Sequence, residues 1–145
     1  MSTTKDLTKE APRSPREKVG GYILLGRAID KGRAALEGKV GEYHFDCPLD
    51  NMLFGFKEVK GEEVKKLLTS GASDQEIASW LDSHGAKKTP EEIKTWADGV
   101  EGYKPYENPE KKDWFAGECK RLGIDPAKST LFDMLEADDR ASFAK

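Results

Sequence analysis

The sequence predicts an all-α fold of about six or seven short helices, in a single helical domain over 14–145 preceded by a flexible arm over 1–13. Two observations carry this. Five helix-start signatures are spread along the chain, and the segments between them hold apolar residues at helical spacing. Glycines at Gly38, Gly71, Gly85 and Gly123 fall where those segments stop, as residues that take the left-handed cap conformation do.

Ser14-Pro15-Arg16-Glu17 combines an N-cap serine, a proline at the first helical position and a glutamate placed to close a capping box. It predicts a first helix from Pro15 to Glu37. That segment holds Gly20, Gly21, Gly26 and Gly32, each costing about 1 kcal/mol of helix propensity against alanine. Close approach of a neighbouring helix or loop is the expected compensation. Gly38 to Asp50 alternates imperfectly until Pro48 and predicts an extended loop with room for one short edge strand. Leu49, Leu53 and Phe56 mark the next helix, and Val64, Leu67 and Leu68 another.

Ser73-Asp74-Gln75-Glu76 and Thr89-Pro90-Glu91-Glu92 are capping boxes that open two similar helices, with Ile77 and Trp80 in one matched by Ile93 and Trp96 in the other. A single short echo of this kind is convergence of capped amphipathic helices, not a solenoid repeat. Asn108-Pro109 and Asp125-Pro126 predict the last two starts, with Phe115, Cys119 and Leu122 on one inner face and Leu131, Met134 and Leu135 on the other.

Composition narrows the functional classes. The 145 residues are 37% hydrophobic and 35% charged with a net charge of −3, so aromatic residues must carry much of the core. The longest apolar run, Tyr22-Ile23-Leu24-Leu25, is far short of the roughly 20 residues of a membrane span. Lys and Arg in residues 1–40 are interleaved with acids, which argues against a nucleic-acid surface. The first dozen residues lack a secretory h-region, and Cys47 and Cys119 are expected as reduced thiols in a cytoplasmic protein.

The strings Leu25-Gly26-Arg27-Ala28-Ile29-Asp30-Lys31-Gly32-Arg33-Ala34, Gly41-Glu42-Tyr43, Cys47-Pro48-Leu49-Asp50 and Ser70-Gly71-Ala72-Ser73-Asp74-Gln75-Glu76-Ile77 with Trp80 resemble a bacterial family catalogued as domain of unknown function 5069. The resemblance runs from about Leu7 to Lys145. It implies a small, mainly helical, cytoplasmic bacterial protein and brings no catalytic residues with it.

Chemistry, if any, is expected where the first helix meets the loop. Arg27, Asp30 and Lys31 are one turn apart on one helical face, and His44, Cys47 and Asp50 come from the loop that packs nearby. One reading is a ligand site for a small anionic metabolite, with Arg27 and Lys31 holding the anion and Asp30, His44 or Asp50 moving a proton. The other is an ion-pair network that fixes the loop, with Cys47 a small buried side chain. His44 and Cys47 have metal-compatible spacing but no second ligand pair, and His84 and Cys119 are expected in helix-packing positions, so neither metal nor cofactor is predicted. Nucleotide-binding glycine loops and hydrolase or zinc-protease motifs are missing too, which favours a non-catalytic protein that acts on a protein partner.

Overall fold

The computed structural model describes residues 4–143, which fall into two compact units divided between Lys94 and Thr95. Among the described residues the fold is all-α, with seven α-helices: α1 Leu25–Leu36, α2 Pro48–Lys57, α3 Gly61–Thr69, α4 Asp74–Ser83, α5 Pro90–Glu101, α6 Lys112–Leu122 and α7 Leu131–Phe143. None of them is long and apolar enough to cross a membrane.

In the first unit α1 is the central element, packed by α2, α3 and α4. Ile23, Leu24, Leu25, Ala28 and Ile29 meet Leu53, Phe54, Val64, Ile77 and Leu81 in a core with no solvent exposure. The first helix begins at Leu25, not Pro15. Ser14 spends its cap chemistry on one turn, accepting from the Arg16 N–H at its hydroxyl (3.1 Å) and from the Glu17 N–H at its carbonyl (3.1 Å). The chain then reverses: Val19 and Tyr22 exchange backbone hydrogen bonds of 3.0 Å around Gly20 and Gly21, whose φ values are +57° and +91°. Glycine pays little for that left-handed backbone. These two glycines therefore make a turn, and only Gly26 and Gly32 lie in the helix. There the expected close packing is found, with the Arg13 side chain over Gly26 and Leu68 and Phe45 over Gly32.

The arm expected to be flexible is packed from Leu7 onward. Leu7 is buried and its N–H bonds the Lys39 carbonyl at 2.9 Å, while Arg13 reaches deep into the unit. Residues 1–3 of that arm lie outside the described residues. The loop between α1 and α2 is irregular, without the short edge strand that its alternation allowed.

The capping boxes of α4 and α5 form with matching geometry. Ser73 and Thr89 each receive a 3.1 Å bond from the backbone N–H three residues on, and Glu76 and Glu92 each accept the cap residue's N–H at 2.9 Å. The connection between these helices docks on the end of α2, where the Ala86 carbonyl accepts from buried Lys57 Nζ at 2.6 Å. His84 is exposed, not in the core, and stacks on the Trp80 ring with centroids 4.6 Å apart.

In the second unit Phe115 and Cys119 of α6 and Leu131, Phe132, Met134 and Ala137 of α7 are buried. Burial pushes the Cys119 thiol up from its ordinary pKa. The two Asx-Pro starts act as turns, not caps. Asn108 Oδ1 accepts from Glu110 N–H and Asp125 Oδ1 from Ala127 N–H, and each helix begins further on. Helix α7 opens on a box between Thr130 and Asp133, with bonds of 2.9 and 3.1 Å.

Candidate functional site

The polar residues singled out in the sequence concentrate on α1. Arg27, Asp30 and Lys31 are each only 3% exposed, and Asp50, in the first turn of α2, is 1% exposed. Burying charges is costly unless they are paired and hydrogen-bonded. Two inward-facing sets of contacts supply ion-pair and hydrogen-bond partners for them.

The first set joins α1 to the start of α2. Lys31 Nζ lies 2.8 Å from Asp50 Oδ1 and donates to Cys47 Sγ at 3.4 Å. Asp50 Oδ2 accepts the Asp46 N–H at 2.9 Å, which closes the loop on the helix. Cys47 is the N-cap residue of α2 and is half-buried. Pro48 takes the first helical position, where its fixed φ suits a helix start, and Asp50 follows in the first turn.

The second set joins α1 to the N-terminal segment and to α4. Arg13 donates from Nε and Nη2 to the two oxygens of Asp30, at 3.1 and 3.0 Å, and its backbone N–H reaches Asp30 Oδ2 at 2.8 Å. The same guanidinium gives its Nη1 to Asp74 Oδ2 at 2.8 Å, and Arg33 meets Asp74 Oδ1 at 2.9 Å. Two arginines and two carboxylates thus form one chain of fork-like contacts. Burial raises the Asp74 pKa, but Arg13 and Arg33 outweigh it and hold the carboxyl below its usual value. Desolvation works against the Arg13 charge, and its bonds to Asp74 and Asp30 more than restore it. Arg27 donates to the Arg13 carbonyl at 3.3 Å and lies 5.5 Å from the Tyr43 ring centroid.

Of the six candidates, Lys31 therefore contacts both Cys47 and Asp50, Asp30 and Arg27 gather around Arg13, and His44 stands exposed outside these contacts. Sequence reasoning missed Arg13, Arg33 and Asp74. Arg13 lay in the supposed arm, and Asp74 already had a local explanation as a first-turn acid of α4.

A family model described as domain of unknown function (DUF5069) matches residues 9–141. The chain belongs to this family. No curated protein matches the chain. The matched span of the DUF5069 domain includes all six candidates as well as Arg13, Arg33 and Asp74.

Acid should test the second set directly. The Asp74 pKa is lowered in the folded chain, so its ion pairs stabilise the fold fully above the unfolded value of about 4 and are lost as pH falls through the lower folded value. Urea unfolding between pH 6 and pH 3 should show stability declining at the acid end. Asp74→Asn should be less stable at pH 6 yet flatter across the range, and an unchanged slope in that variant would contradict the assignment.

Proposed function

We propose that this DUF5069 domain is a cytoplasmic bacterial protein that binds a partner or ligand without catalysing a reaction, and that the charged face of α1 is its internal brace. The observation supporting this is the inward pairing of Asp30, Lys31 and Asp50, each at least 97% buried. A general acid or base must come within hydrogen-bond reach of its substrate, and these groups are buried in ion pairs with neighbouring elements. The unpaired state of Cys47 and Cys119 suits a reducing compartment.

The test is turnover. Purified protein incubated with mixtures of phosphorylated and carboxylated metabolites should consume none of them. Saturable consumption that disappears in Asp30→Asn, with that variant still cooperatively folded, would overturn the proposal in favour of an enzyme acting on an anionic metabolite.

A further inference from the structure

Between the end of α3 and the outer face of α4 lies an open groove of roughly 390 Å³, lined among others by Leu67, Ser70, Glu76, Ser79, Trp80 and Ser83. It is separate from the buried charges of α1, and the charged residue in its lining is the acidic Glu76. Ser70 Oγ donates its proton to the Leu67 carbonyl at 2.7 Å, and Ser83 Oγ lies 3.2 Å from the Ser79 and Trp80 carbonyls and 3.1 Å from His84 Nδ1. With its proton committed, the Ser70 hydroxyl oxygen offers lone pairs.

Glu76 uses Oε1 to accept the Ser73 N–H. Its bonds to Ser73 lower its pKa, so it carries a negative charge at neutral pH. The carbonyl end of α3 brings the negative end of one helix dipole, and Glu76 sits in the first turn of α4, at the positive end of another. Trp80, whose ring stacks on His84 with centroids 4.6 Å apart, contributes an indole, the aromatic ring most favourable to a cation. The Arg33 guanidinium, bonded to the Ala72 carbonyl at 3.1 Å, is itself paired with Asp74. An anion would meet acceptors and a carboxylate here, whereas a donor-rich cation finds a partner on each wall.

We propose that this groove binds an organic cation, an alkylammonium or guanidinium group held by Glu76, the serine hydroxyls and Trp80. The proposal rests on the reading of the chain as a non-catalytic binding protein and names the ligand chemistry.

The experiment is an NMR titration of the full ¹⁵N-labelled chain with agmatine, with a blocked peptide bearing a single arginine, and with succinate. Agmatine should shift the amide signals of Ala72, Glu76 and Ser79 and the Trp80 indole N–H saturably, and succinate should not. Glu76→Gln, which keeps the capping box, should weaken agmatine binding about three- to fivefold, in line with a solvent-facing ion pair. Stronger binding of the peptide than of agmatine makes the natural cation a side chain of a partner protein; the reverse makes it a free amine. Absence of saturable shifts from both cationic probes, equal shifts from succinate, or unchanged affinity in Glu76→Gln would overturn the proposal. None of these results bears on turnover, so the non-catalytic reading stands or falls separately.

Discussion

Lys31→Met is expected to destabilise the first unit by about 3–5 kcal/mol, because it leaves the Asp50 carboxylate buried without its cation. Methionine nearly matches the lysine stem in length, so little packing is lost and the cost is electrostatic. Asp50 is 1% exposed and its oxygen lies 2.8 Å from Lys31 Nζ, which leaves scarcely any solvent to take the lysine's place. Urea unfolding at pH 7 measures the loss. Adding Asp50→Leu to the same chain should recover at least half of it, since apolar pairs often replace buried ion pairs without penalty. The Asp46 N–H that Asp50 accepts would then turn to water, which exposed Asp46 can reach. A double variant no more stable than Lys31→Met would show that the pair is not the source of the effect.

Gly85→Ala should cost about 3 kcal/mol or more, through two effects that act together. Gly85 has φ +67°, a left-handed conformation that costs alanine roughly 1–2 kcal/mol. A Cβ there would also run into the Lys57 carbonyl and come within 2.7 Å of Val59 Cγ1. Backbone cannot rotate away as a side-chain tip can, so the 84–89 connection must lift from α2. Lifting it breaks the 2.6 Å bond from Lys57 Nζ to the Ala86 carbonyl. Lys57 is 1% exposed, and burial lowers its pKa despite the nearby Asp82, with Lys88 adding to the effect. Losing its acceptor therefore strands a buried ammonium. Thermal unfolding should show a midpoint lower by about 10 °C, from roughly 3 °C per kcal/mol for a chain of this size. A change under about 2 °C would mean that the connection relaxes freely and does not depend on glycine.

The features legible in the sequence are those whose partners are local. The boxes at Ser73 and Thr89 bond three residues ahead, and each forms as the strings predict. Glycines at helix ends were equally legible, with Gly38, Gly71, Gly85 and Gly123 all at positive φ. Ser14-Pro15 misled because an N-cap serine stabilises a single turn as readily as a whole helix. The following Gly20-Gly21 pair decided the outcome, and composition alone does not distinguish a packed glycine from a turning one. Asn108-Pro109 and Asp125-Pro126 misled for the same reason: an Asx side chain that can cap a helix can equally close a turn.

For the site, helical spacing sufficed to group Arg27, Asp30 and Lys31; of the loop residues His44, Cys47 and Asp50, the last two lie against Lys31 and His44 stands exposed. The Arg13 contacts to Asp30 and Asp74 span 17 and 61 residues, and no local pattern encodes them. They arise only once the reversal at Gly20-Gly21 folds the N-terminal segment back along α1. The groove between α3 and α4 escaped notice because its serines and Glu76 all had local roles in caps and helix ends.

The central claim is that the buried charges of α1 brace the fold and do not meet a ligand. Thermal-shift screening of the wild type and of Lys31→Met/Asp50→Leu against the same metabolite library, organic cations and anions included, tests it most directly. A ligand present at 100 times its dissociation constant adds about 2.7 kcal/mol of apparent stability. The account predicts that every compound stabilising the wild type stabilises the double variant by a similar amount. A compound, above all an anionic one, that stabilises the wild type and loses its effect in the folded double variant would contradict it.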